Sequence, residues 1–180
     1  QGTEKHKIKV LNPNTGGLEW KRFDEVSEGD VIPLAMNTIF GDEKEILLPP
    51  MPELHWNTDY KLTTPKIMTK ELAVLIGYFM GDGSLHSKGI RFCVDNKDED
   101  VMVHLKELVN SLFNLEVHIT QMEGYKEVAV HSVPFVMWWE ASGFSKLKPS
   151  LEHSGKGYTP CIPDAILHTN DRKIYSAFLK

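Results

Sequence analysis

Apolar and polar positions along the 180-residue chain change period several times, and each change predicts an element. Near the start, Ile8 and Val10 alternate with Lys7 and Lys9, as in a half-buried strand. Asn12 to Gly17 is a turn cluster, Leu18 to Phe23 begins a second strand, and Glu28-Gly29-Asp30 turns into Val31-Ile32-Pro33-Leu34. Residues 41–66 hold Pro49, Pro50, Pro52 and Pro65 with no sustained apolar period, the pattern of a linker between domains. Within it, the run Leu47 to Met51 has enough apolar character to pack on one of them.

The pattern then becomes helical. No charge interrupts Leu72 to Met80, and a helix apolar on every side is normally buried on every side. Thr69 is its expected N-cap, and Glu71 puts an acid in the first turn, where the dipole favours it. The run falls short of the roughly 20 apolar residues that span a bilayer, so a buried helix is expected. Ser84 to Asp95 predicts a hairpin turning near Ser87-Lys88-Gly89, with Ile90, Phe92 and Val94 on one face and Arg91, Cys93 and Asp95 on the other. Asn96 is the expected cap of a second helix, with Asp98, Glu99 and Asp100 in its first turn and Val101, Leu105, Leu108, Val109 and Leu112 as its buried stripe. A second hairpin follows: Leu115, Val117 and Ile119 alternate with Glu116, His118 and Thr120, Glu123-Gly124 turns, and Val128 and Val130 alternate with Glu127, Ala129 and His131. Pro134 opens a third helix that Gly143 stops, and Ile174, Ala177 and Phe178 return to helical spacing near the end. The order helix, hairpin, helix, hairpin, helix predicts an α+β fold.

The first of these helices carries the chemistry. Ala73, Gly77 and Gly81 stand four apart on one stripe. A helix-interior glycine costs about 1 kcal/mol against alanine, so two of them predict a backbone packed close by. Asp82 follows at the C-terminal end, where the dipole disfavours a carboxylate and a divalent cation would reverse the penalty. Alternatively, Asp82-Gly83 is only a helix-ending turn with Gly83 as a left-handed cap.

The segment LIGYFMGDG, residues 75–83, resembles the motif of the LAGLIDADG homing endonucleases, with Asp82 at the metal-binding acid and Tyr78 in place of the motif's first acid. The resemblance implies an αββαββα repeat in which two such helices pack through small residues, here Ala73, Gly77 and Gly81. Each helix would bring one acid to a shared magnesium site beneath double-stranded DNA. It implies four strands whose polar face enters the major groove, so that His86, Lys88, Arg91, His118, Thr120, Tyr125 and His131 become DNA contacts. Those residue types suit base edges and phosphates. A plainly solvated face would look much the same, and Glu116 and Glu127 fit either that or readout of cytosine amino groups. Residues 145–169 resemble the block that follows the first repeat and ends in Cys161 to Leu167. That block usually supplies a lysine just before its Ile-Pro, where Cys161 stands here. Lys156 is then the nearest candidate for the catalytic lysine, with Lys148 behind it. The second acid would come from a downstream repeat or a second copy of the chain.

Residues 2–6, GTEKH, resemble the T-x-x-H block of the intein (Hint) splicing fold, followed by its E-G-D turn. That implies a partial all-β segment in which Thr3 and His6 polarise a splice-junction peptide bond. The splicing nucleophile and the terminal Asn are missing, so no splicing is expected of this chain alone. The expected organisation is a partial Hint domain and linker over 1–62, and a first endonuclease repeat with the lead-in to a second over 63–180.

Composition changes this picture little. A net charge of −5 and a pI near 5.9 weigh mildly against a nucleic-acid binder, but the location of the cations matters more than their sum. Cys93 and Cys161 fit no CxxC pattern, and no signal peptide or membrane span is visible, so a cytoplasmic protein with reduced thiols is expected. The expected function is magnesium-dependent, site-specific cleavage of both DNA strands, inactive in this fragment alone. Two other classes remain open: a non-cleaving DNA-binding regulator or RNA maturase on the same scaffold, and a small α+β ligand-binding domain.

Overall fold

A computed structural model of the protein describes residues 4–34, 41–54, 61–147 and 160–179. The chain forms two compact units, Gln1–Ile39 and Phe40–Lys180. In the first, β1 (Lys7–Leu11) and β2 (Leu18–Arg22) make an antiparallel hairpin in the register Lys7↔Arg22 to Leu11↔Leu18. The Asn12 carboxamide oxygen accepts from the amides of Asn14 and Thr15, and Gly16 takes the positive φ of 67° that the turn needs. The Asp30 carboxylate holds the second turn, accepting from the Ser27 amide at 2.7 Å and from Lys21 at 2.6 Å. Val31 is not part of a strand, but its carbonyl accepts from the Leu11 amide at 2.8 Å.

The second unit is a mixed α+β structure. Its helices among the described residues are α1 (Lys70–Asp82), α2 (Glu99–Phe113), α3 (Val133–Ala141), α4 (Asp164–Leu167) and α5 (Arg172–Phe178). Its strands are β3 (Gly83–His86), β4 (Gly89–Asp95), β5 (His118–Gln121) and β6 (Tyr125–His131). They form one antiparallel sheet in the order β3-β4-β6-β5. Ile90, Phe92, Val94, Val128 and Val130 turn one sheet face into the core, where α1, α2 and α3 cover it. Phe79, Phe92, Phe113, Phe135, Trp138, Trp139 and Phe144 fill that core with mostly edge-on ring contacts, such as Phe79 to Trp139 at 5.2 Å. Both indole N–H groups are satisfied, Trp138 by the Pro49 carbonyl and Trp139 by that of Phe144. Each buried phenylalanine ring contributes roughly 1.5–3 kcal/mol through burial.

Helix α1 begins as expected: the Thr69 hydroxyl accepts from the Leu72 amide at 3.2 Å. Its end differs. Gly83 is extended (φ −83°, ψ 153°), not left-handed, and starts β3 directly. A Cβ there would run into Phe79, so glycine is required by close packing rather than by a positive φ. The N-cap position of α2 is Asp98 rather than Asn96, and no side chain bonds the helix start. Asn96 instead accepts from Gln121 at 3.0 Å, tying the β4 end to β5. The buried stripe of α2 also includes Phe113, and strand β5 begins only at His118, after Leu115 and Val117. Ala129, expected on the polar face, is nearly fully buried.

Where it is described, the proline-rich stretch is tied down by backbone hydrogen bonds, and it falls within the unit Phe40–Lys180. Leu48 donates to the Lys66 carbonyl and Met68 to that of Ile46, closing a short antiparallel contact around Leu47↔Ile67. Glu43 and Gly41 bond to His168 and Thr169, and Lys61 and Thr63 bond to the end of α2. Proline cannot donate, yet its carbonyl still accepts, and so an extended strap can be tied down through its oxygens.

Candidate functional site

The sheet's outer face follows from the register. Ser84↔Arg91↔Ala129↔His118 make one cross-strand row, His86↔Gly89↔His131 a second, Cys93↔Glu127↔Thr120 a third and Asp95↔Tyr125 a fourth. The sheet thus brings His86, Arg91, His118, Thr120, Tyr125 and His131 onto one face, with Lys88 exposed in the β3–β4 turn. Within it, the His118 and His131 rings lie 5.2 Å apart, and the Ser84 hydroxyl meets His86 Nε2 at 3.1 Å. Arg91 Nη1 lies 3.4 Å from Glu127 Oε2. Arg91 is therefore a paired cation rather than a free one.

At the edge of this face, α1 ends on Asp82. Its carboxylate is exposed and makes no hydrogen bond or salt bridge with a described residue. Lys146 reaches the same helix end from beyond α3: its ammonium donates to the Gly83 carbonyl at 2.7 Å and the Gly81 carbonyl at 3.3 Å, and lies 5.6 Å from the Phe79 ring centre. Burial pulls its pKa below the usual lysine range, and the Asp82 charge opposes that shift. The carbonyls at the negative helix end thus have a lysine ammonium bonded to them. Lys146 was missed because 65 residues separate it from Gly81 and no local pattern links them. Lys156, Lys148 and Thr3 lie outside the described residues.

The small-residue stripe splits. Ala73 is fully buried, and a Cβ on Gly77 would overlap the Phe178 carbonyl of α5, so these two helices touch backbone to backbone. Gly81 is exposed, with nothing within 4 Å of a Cβ placed there. It borders a groove of about 610 Å³ between α1, α2, β4 and the end of α5, which also holds Asp82, Tyr78 and His104. The Tyr78 hydroxyl meets His104 Nδ1 at 3.3 Å, and burial, with the Asp100 charge behind it, raises the Tyr78 pKa. In the first unit, His6 is exposed and its ring lies 5.8 Å from that of Phe23.

Asp82 has open oxygens, which suits one ligand of a hard cation, since Mg²⁺ often takes one or two carboxylates and completes its shell with water and substrate phosphate. Among the described residues no group of three His, Cys, Asp or Glu side chains could hold a metal, so Asp82 is at most part of a site.

Fold and site together define an α+β unit with a polar sheet face and, beside it, a helix end that carries an open carboxylate and two backbone carbonyls bonded by Lys146. No protein-family profile matches the chain. It is similar to an A-type ATP synthase subunit from Pyrococcus abyssi, 26% identical over 177 residues, which covers 97% of this chain and 16% of that protein. The chain therefore spans well under two thirds of that relative. It contains no G-x-x-x-x-G-K-[ST] phosphate loop. No helix among the described residues is long and apolar enough to cross a membrane.

Proposed function

We propose that this chain carries the first repeat of a LAGLIDADG-type DNA endonuclease, borne within an intein and preceded by part of its Hint splicing domain, and that it acts in the cytoplasm on double-stranded DNA. The observation that carries this is the junction at Asp82: a glycine-bearing helix packed on a second helix through Gly77 ends in an open carboxylate at the rim of a four-stranded antiparallel face. The order α1, β3, β4, α2, β5, β6, α3 supports an αββαββα repeat. A likeness confined to 16% of a longer protein fits a segment carried inside a host chain.

In this function the outer sheet face tracks the major groove and Asp82 faces the scissile phosphate. Asp82 would be the chain's ligand to Mg²⁺, which when bound supplies water activation and neutralises charge on the leaving oxygen. A second carboxylate is needed, from another repeat or a second copy. Lys146 is the lysine we assign to the site. It holds the backbone carbonyls on either side of Asp82, and would add positive charge next to an incoming phosphate. The lone carboxylate also favours a second possibility, a DNA-binding regulator or RNA maturase on the same scaffold that does not cut.

Asp82→Asn separates the two. Joined to a second motif repeat and assayed with magnesium on the uninterrupted insertion site, the variant is expected to fold and to shift the duplex on a gel. Nicking should fall by several orders of magnitude, because the charge that holds the metal is gone. Cutting at the wild-type rate would remove Asp82 from the chemistry. Duplex binding without cutting, in wild type and variant alike, would favour the regulator.

A further inference from the structure

Two histidines of the outer sheet face stand apart from the others. His86 and His104 each hold a hydroxyl, that of Ser84 at 3.1 Å and that of Tyr78 at 3.3 Å. His118 and His131 are exposed, and neither makes a hydrogen bond or ion pair with a described residue. They sit on adjacent antiparallel strands: His118 of β5 pairs with Ala129 of β6, which puts His131 two residues further along β6 on the same face. Their ring centres are 5.2 Å apart with the planes at 46°. The cross-strand neighbours are small, Ala129 opposite His118 and Gly89 opposite His131. A Cβ on Gly89 would overlap the Val130 carbonyl, so no side chain fills the space beside His131 on β4.

Imidazole is the commonest metal ligand and suits borderline divalent ions such as Zn²⁺, Cu²⁺ and Ni²⁺. A zinc ion bound to a ring nitrogen at about 2.0–2.1 Å lies roughly 3.2 Å from the ring centre, and two such rings at the tetrahedral angle stand about 5.2 Å apart. The His118–His131 separation matches that spacing. Turning either ring about its Cβ–Cγ bond, to bring a nitrogen to a shared ion, breaks no hydrogen bond with a described residue. Arg91 lies in the cross-strand row of His118, but Glu127 offsets its charge toward an incoming cation. No third His, Cys, Asp or Glu among the described residues completes a ligand set. The site is therefore open, with two protein ligands and the remaining positions left to water or to an oxygen of a bound molecule.

We propose that His118 and His131 form a two-imidazole site for a borderline divalent transition-metal ion of the zinc class. It differs in place and in ligand chemistry from the Mg²⁺ position at Asp82, since Mg²⁺ prefers oxygen. It also stands independently of the DNA function proposed above.

The test is calorimetric titration of the full chain with zinc chloride, repeated with His118→Gln, His131→Gln and, as a control, His86→Gln, each checked by thermal unfolding. The wild type is expected to bind one equivalent of zinc at the pair. His118→Gln and His131→Gln should each weaken that equivalent about tenfold or more, while His86→Gln leaves it unchanged. A second measurement needs no variant: in the wild-type NMR spectrum the ring C–H resonances of His118 and His131 should move together on adding that equivalent, and those of His104 should stay. Zinc uptake indifferent to both substitutions, or resonances of the pair that do not respond, would make His118 and His131 a plain ring contact and overturn the proposal. Absence of zinc uptake by the wild type would overturn it equally.

Discussion

The two units of this chain differ in what holds them. In Phe40–Lys180 the sheet and helices enclose a continuous core whose rings and aliphatic side chains are almost completely buried. In Gln1–Ile39 the described residues bury one apolar side chain, Val10, while Leu18, Trp20, Val31 and Leu34 are more than half exposed. A two-stranded hairpin is marginal in water without a third strand or a covering helix. What orders the first unit is mostly polar and local: the Asn12 turn, the Lys21–Asp30 pair and the Lys9 ammonium over the Trp20 ring at 4.5 Å. Exposed ion pairs are worth little, typically up to about 1 kcal/mol. The contrast separates a unit held by its own burial from one whose described apolar side chains are mostly exposed.

Tryptophan truncation tests that contrast most strongly. Trp139→Ala is expected to destabilise the second unit by about 3–5 kcal/mol, because it empties a site packed by Phe79, Phe135 and Phe144. Trp20→Ala should change stability by less than about 1 kcal/mol, since it loses only an exposed cation–π contact. Chemical denaturation read separately for each unit compares them; equal losses would mean that the first unit has a core of its own.

A smaller contrast lies within α1. Gly77→Ala adds a methyl against the Phe178 carbonyl, so overpacking of roughly 1–3 kcal/mol should exceed the helix-propensity gain of about 1 kcal/mol, and the melting temperature should drop. Gly81→Ala meets nothing and should raise stability by up to about 1 kcal/mol. Thermal unfolding of both variants gives the sign; a stabilised Gly77→Ala would show that α5 does not press on α1.

Acid should act on the first unit at the Asp30 turn. The Lys21 ammonium and then the Ser27 amide hold Asp30 below the usual carboxylate pKa. A depressed folded-state value adds stability that is present above the ordinary carboxylate pKa, about 3.9, and is lost as pH falls through the lowered one. Below that range the Ser27 amide resonance should move toward its unfolded position while core amides of the second unit stay put. In Asp30→Asn this pH dependence should vanish. A Ser27 shift that tracks pH unchanged in the variant would assign the transition to another group.

Much of the second unit was legible because its elements announce themselves locally. Thr69 caps α1 because a hydroxyl three residues before Leu72 can meet its amide, and β4 alternates because one sheet face is covered. Legibility failed where a residue's partner lies far along the chain. Ala129 occupies a polar-face position, yet neighbouring strands on both sides and Arg91 opposite it leave little of it exposed. The proline strap has no period of its own, and its bonds go to α4, α3 and the end of α2.

By itself, then, the sequence determined the order and kind of α1 to α3 and of β3 to β6, the turns between those strands, and the place of Asp82 at the end of α1, since these depend on periods of two and 3.6 residues and on capping within a few positions. Tertiary structure alone decided which cation bonds the carbonyls at that helix end, which glycine meets another helix, and that Arg91 is paired with Glu127. Those contacts arise when strand register and helix packing bring distant residues within a few ångströms. That distance is set by the folded path of the chain, which leaves no mark on the neighbouring residues.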